Sequence, residues 1–303
     1  MTIEAHTLAR YVTSVGVRCE GASMPQGLPY FRREQPRMVD QRLRIATVSY
    51  LEARPLTAGL ADSHDVSLTS GAPADMLQRL HWDQSDVALL PTIDLQRSED
   101  PLVILPVGCV ASAGATMTMR LYSRVRPEKI KLLWADTEAR TVTVLARLLW
   151  SQNYRRDLEV IPLQAEGKPL PEDAEAVLLV GDRVAGAAPA GFEWQLDLGA
   201  LWFELTGVPF VYAIWAARED SNYAAAYAML LESRKRGQHE LEEIARRYGP
   251  DAGWPAELAI KHLMRNVQYE VTPAHLDGIE EFFDRADEAG LLPEYRPLHF
   301  YQP

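Results

Sequence analysis

Cysteine is nearly absent from this chain: Cys19 and Cys109 are the two present among 303 residues, far apart and in unlike surroundings. That excludes a disulfide framework and a thiolate metal cluster, and it suits a reducing compartment. No apolar run approaches the length of a membrane span, and the N-terminus has no basic segment followed by an apolar one. No membrane association and a cytoplasmic location are therefore expected. Nor does any block of lysine and arginine offset the net charge of −11, which argues against sequence-independent nucleic-acid binding. An anionic ligand must then be held by local cations and backbone donors rather than by the overall field. The usual catalytic signatures are missing as well: there is no P-loop, dinucleotide glycine fingerprint, HExxH or GxSxG. The histidines are dispersed, and His262 and His275, in or beside C-terminal helical stretches, read as structural; no metal is expected.

What is present is a globular pattern, 47% hydrophobic, long enough for two domains or one large one. Residues 1–41 mix Arg, Glu, Gly and Pro without periodicity and read as a poorly ordered extension. From "LRIATVSYL" onward, β-rich runs alternate with helical ones: "LRIATVSY", a helix near 54–61, "HDVSLTS", a helix at "APADMLQRLHW", and "SDVALLP". Such alternation implies a parallel sheet covered by helices, with ligands beyond the carboxyl ends of the strands, where Glu52, Pro73 and Thr92 fall. The segment 102–124 reads as extended strands crossing to another lobe. A second βα series follows, and "VPFVYAIWAAR" at 208–218 reads as a strand returning to the first lobe, after which the pattern is helical to the end. The expected organisation is a first lobe of residues 42–122 plus 210–303, interrupted by a second lobe at 123–209, with a ligand cleft between them.

Three polar clusters lie at strand ends. Ser49, Tyr50 and Glu52 precede a turn whose free N–H groups suit an anion, or Glu52 merely caps that turn. In "ADTEARTVT", Arg140 and Thr141 open an apolar helix after Asp136 and either bind a carboxylate or leave a capped helix beside a solvated arginine. In "VGDR", Gly181 permits close approach and Asp182 faces the cleft, or forms a structural Asp–Arg pair. The aromatics of "LWFELTGVPFVYAIW" read mainly as core.

Taken in order, "RIATVSYLEARPL", "SDVALLPTID", "GATMTMRLYSR", "ARTVTVLARLL", "LLVGDRV" and "DLGALWFELTGVPFVYAIWAAR" resemble the menaquinone-biosynthesis chorismate dehydratases over about residues 42–293. The most specific pieces are "VSYL…PL", "GDR" and "DLG…W…TG.PFVYA.W". The resemblance implies an α/β periplasmic-binding-protein type II fold with a helical C-terminal segment. It also implies a hydro-lyase that converts chorismate to 3-[(1-carboxyvinyl)oxy]benzoate in the futalosine route, without a cofactor. Ser49, Tyr50, Arg140, Thr141, Gly181 and Asp182 match the family. Glu52 stands where the family has asparagine, Thr118 where it has serine, and Val142 where it has a second serine.

Dehydrating chorismate removes a ring C–H and the neighbouring hydroxyl, and aromatisation drives it, so the protein has to hold a dianion and assist proton transfer. The substrate's own carboxylate can take the proton if it is held close. In this scheme Arg140, Thr141 and Thr118 orient carboxylates, Ser49, Tyr50, Thr92, Gly181 and Asp182 line the substrate site, and Glu52 contacts the reacting ring as general base or, protonated, as general acid. An ionised Glu52 would repel a dianion by about 4 kcal/mol per like-charge pair at roughly 4 Å and an effective dielectric near 20. On that basis Glu52→Asn is expected to retain activity, whereas complete loss would mark Glu52 as acid or base. The alternatives are a lyase acting on a related carboxylate, as in the sister 1,4-dihydroxy-6-naphthoate synthases, and a non-catalytic cytoplasmic carboxylate-binding protein.

Overall fold

The computed structural model describes residues 42–164, 169–221 and 223–302, so the extension expected over residues 1–41 lies outside the described residues. Two mixed sheets organise the chain. The first is built from β1 (Leu43–Val48), β2 (Val66–Gly71), β3 (Val87–Pro91) and β4 (Leu102–Ser112), with α1 (Met76–His81) between β2 and β3. The chain then enters a second sheet through β5 (Met119–Ser123) and β6 (Leu132–Asp136), and continues through α2 (Arg140–Tyr154), β7 (Glu159–Leu163), β8 (Ala176–Val180), β9 (Trp194–Asp197) and α3 (Leu198–Thr206). β10 (Phe210–Arg218) returns to the first sheet. After it come α4 (Tyr223–His239), α5 (Leu241–Tyr248), α6 (Ala256–Lys261), a π-helical turn at His262–Asn266, α7 (Pro273–Glu288) and β11 (His299–Phe300).

The first sheet runs β11-β4-β10-β3-β1-β2 and the second β7-β6-β8-β5-β9. The sheets are not purely parallel, as the alternation implied. β10 pairs antiparallel with both β3 and β4, and β5 pairs antiparallel with β8 and β9. These are the strands at which the chain passes from one sheet to the other, so they enter from the opposite end. Every residue of β3, β8 and β10 is buried, as strands covered on both faces require, whereas the edge strand β2 buries only its first residue.

The stretch expected as a helix near 54–61 is two short 3₁₀ turns, Leu51–Thr57 and Leu60–Asp62. Pro55 lies inside the first and has no N–H to give an α-helical ladder. α4 clamps this turn from outside: Ser233 Oγ lies 3.0 Å from the carbonyls of Leu56 and Ala58, and a Cβ at Gly237 would meet the Pro55 carbonyl oxygen at 1.9 Å. The clamp matters because Glu52 rides on that turn.

The "DLG…W…TG.PFVYA" stretch proves to be scaffold. Asp197 caps α3 by accepting from the N–H groups of Gly199 and Ala200, and it also accepts from Thr116 and Met117 on the crossing between sheets. Gly207 ends the helix at a φ of 76°. Trp202 is buried edge-on against Phe210 at 5.3 Å and Phe282 at 6.1 Å, which ties β10 to α3 and α7. The core reading of these aromatics holds, except that Phe203 is exposed.

Candidate functional site

A cleft opens between the two sheets, at the carboxyl ends of β1, β3 and β8. One wall comes from the first sheet: Val48, Tyr50 and Glu52 after β1, Pro91 ending β3, and Tyr212 and Ala213 on β10. The other comes from the second: Met119, Val180, and Glu138 to Val142 where α2 begins, except for Arg140. Most of the lining is apolar, and the polar groups are few and localised.

The N-terminus of α2 supplies one of them. No side chain caps its first turn, and the opening amides of a helix have no intrahelical partner, so they present donors and positive potential to the cleft. Thr141 adds a hydroxyl there; its oxygen accepts from the Ile93 N–H at 3.2 Å, which leaves its proton free to donate. Val142, which stands for a family serine, adds only apolar surface.

Tyr50 spans the cleft. Its hydroxyl donates to Glu138, and Arg183 bonds both Asp136 and Glu138, with the Glu138 contact at 3.0 Å. Burial, then the bond to Glu138, holds the phenol well above its ordinary range. The Tyr50 ring occupies the space where a side chain on Gly181 would be: a Cβ there would meet it at 2.6 Å, and Gly181 sits at a φ of 64°. The close approach expected at this glycine is therefore that of Tyr50.

Glu52 reaches the cleft and is only 2% exposed. Its neighbour Asp182 does not face the ligand space as expected. It is half-buried and accepts from the Leu51 N–H at 3.1 Å and from the Trp254 indole at 2.7 Å, which supply the donors that solvent gives it only in part. Burial, augmented by the charge of Glu52, pushes the Asp182 carboxyl up to about 7. Among the described residues no arginine pairs with Asp182 across the two sheets, while Arg183 pairs with Asp136 and Glu138.

Four further expected residues lie off the cleft lining. Arg140 bonds Asp94 at 3.4 Å, Thr92 donates to the Val211 carbonyl at 2.7 Å, Thr118 pairs with Thr116 at 3.0 Å, and Ser49 is exposed. In the first two cases a buried neighbouring acceptor claims the donor, and in the third two buried hydroxyls bond each other. Of the expected site residues, the structure thus brings Tyr50, Glu52 and Thr141 together around one cleft, with Gly181 and Asp182 behind them. Sequence reasoning passed over Glu138, Asp94, Arg183 and Tyr212, although Glu138 lies inside the quoted "ADTEART". Among the described residues, no cluster of acidic, histidine or cysteine side chains is arranged to hold a metal ion, and no helix is long and apolar enough to cross a membrane.

Two sheets joined by crossing strands around a small apolar cleft define a periplasmic-binding-protein-like fold. The solved structures agree: a protein from Archaeoglobus fulgidus superposes with a TM-score of 0.65 at 16% identity, covering 82% of this chain and 98% of that one. The aliphatic sulphonate binding protein of Escherichia coli gives 0.60 at 15%, covering 87% and 94%. More narrowly, the chain belongs to the menaquinone biosynthesis family, whose profile matches residues 43–288. A chorismate dehydratase from Thermus thermophilus is 25% identical over 270 residues, 80% of this chain and 96% of the relative.

Proposed function

We propose that this protein is a hydro-lyase that dehydrates chorismate to 3-[(1-carboxyvinyl)oxy]benzoate on the futalosine route to menaquinone. The observation that carries the reading is the opposition, across one apolar cleft, of an uncapped helix start with Thr141 and a buried carboxyl group, Glu52. A substrate carboxylate set against α2 and the Thr141 hydroxyl places the ring toward Glu52. One ring proton and the neighbouring hydroxyl leave together as water, and the ring becomes aromatic. Glu52 acts on the proton in transit, Tyr50 closes the cleft, and the apolar walls exclude bulk water. The family membership and the Thermus relative support the same reaction class.

A specific observation favours a second reading, a lyase acting on a cyclic carboxylate of lower charge. Among the described residues the cleft lining contains two carboxyl groups, Glu52 and Glu138, and no lysine or arginine, since Arg140 is turned to Asp94.

The experiment is incubation of the purified protein with chorismate, followed by mass spectrometry and absorbance of the aromatic product. Product formed in proportion to enzyme supports the dehydratase. Saturable chorismate binding without product moves the chemistry to another carboxylate, and no binding removes chorismate altogether.

A further inference from the structure

His262, in the π-helical turn after α6, is fully buried, and neither ring nitrogen has a hydrogen-bond partner. Its Nε2 lies 3.5 Å from Oε2 of Glu52, which is itself buried and without a hydrogen-bond partner. An acidic and a basic group left unsatisfied this close together are costly unless they serve each other.

The imidazole is held in place from one side. Trp254 stacks on it with centroids 4.8 Å apart and planes 5° from parallel. Trp254 is fixed in turn by its indole bond to Asp182, and Asp182 accepts from the N–H of Leu51, the residue before Glu52. The connections form a closed ring from Glu52 through His262, Trp254 and Asp182 back to the turn that carries Glu52. π-helical turns of this kind recur at functional sites, because the extra residue re-aims a side chain.

We propose that His262 is a positioning residue for Glu52, its buried imidazole facing the carboxyl group at 3.5 Å and holding it toward the ligand in the cleft. This rests on the reading of Glu52 as the acid or base of the dehydration. Among the described residues, His262 is the one basic side chain within ion-pair distance of Glu52. The other titratable groups that sense the charge of Glu52 are the half-buried Asp182 behind it and the buried Tyr212 on β10 and Tyr269 after the π turn; each has its pKa raised.

Two readouts test the pair. In the first, the ring-nitrogen resonances of His262 are assigned in histidine-labelled protein by their loss in His262→Phe, then followed in Glu52→Gln. They are expected to move; unchanged resonances overturn the proposal. The second is a double-mutant cycle on chorismate turnover. His262→Phe keeps a ring on Trp254, and His262→Gln serves if the phenylalanine does not fold. Either change is expected to lower kcat about 10- to 100-fold, with KM little altered. In the Glu52→Gln background the same change is expected to cost less than about twofold, whereas equal losses in both backgrounds would show a merely structural histidine. If the unaltered protein does not turn over chorismate, the dehydratase reading falls, while the resonances still decide the pair.

Discussion

The Arg140 guanidinium lies 3.4 Å from both carboxylate oxygens of Asp94, whose side chain is wholly buried. Burial raises the Asp94 pKa, and the charge of Arg140 is the main influence opposing it. The arginine that the sequence assigned to substrate is thus first of all the counter-ion of a buried acid. Arg140→Ala is expected to cost on the order of 2 kcal/mol in urea unfolding, since Arg140 is itself a third exposed and solvent screens part of the loss. A rise in KM without loss of stability would return Arg140 to the ligand.

Tyr50→Phe removes the hydroxyl that joins the first-sheet wall to Glu138 and leaves Arg183 on that carboxylate. Stability is expected to fall by about 1 kcal/mol, with KM raised several-fold because the bond spans the cleft. Steady-state kinetics beside thermal unfolding separates the two effects.

Gly181→Ala meets both a φ of 64° and the Tyr50 ring at 2.6 Å. Gly114, at a φ of 110° with nothing within 4 Å of an added Cβ, is the control that carries backbone strain alone. Gly114→Ala is expected to cost about 1 to 2 kcal/mol, and Gly181→Ala more, together with a loss of turnover. Equal costs and unchanged turnover would mean that the Tyr50 ring moves aside freely.

Asp182 gives a pH dependence with a definite sign. Its carboxyl is raised from 3.8 to about 7 in the folded chain, first by burial and then by Glu52. Between about pH 4 and 7 the folded state therefore keeps a proton that the unfolded state has lost, and stability falls as pH rises through that window. Asp182→Asn is expected to flatten the decline by up to about 1.4 kcal/mol per pH unit. Unfolding curves at about pH 5, 6 and 7 measure it, and an unchanged slope would remove Asp182 as the source.

Repulsion between an ionised Glu52 and a dianion, taken alone, predicts that Glu52→Asn retains activity. With His262 Nε2 only 3.5 Å from Glu52, the carboxylate is no longer isolated, and the expected result becomes a loss of kcat of about 100-fold or more. Retained activity would restore the earlier expectation and remove Glu52 from the chemistry.

Much of the frame was legible in the sequence. The runs at β1, β3 and β8, the crossing at 102–124 and the return at 208–218 can be read from period and composition, because burial on both faces demands continuous apolar strands. The antiparallel sense of β5 and β10 was not legible, since an apolar run does not record the end from which the chain enters a sheet. Tyr50, Glu52 and Thr141 were legible as candidates because strand ends and helix starts mark a cleft in such folds.

The sequence by itself determined that the strand end at Tyr50 and Glu52 and the helix start at Thr141 face the cleft, through local periodicity and turn chemistry. Only the tertiary structure decided which polar groups are free to act there. Asp94 is 46 residues from Arg140, Asp182 is 72 from Trp254, and Glu52 meets His262 from the far end of the chain. Those pairings follow from the cost of leaving a buried charge or donor unmatched, and that cost is set by neighbours in space rather than in sequence.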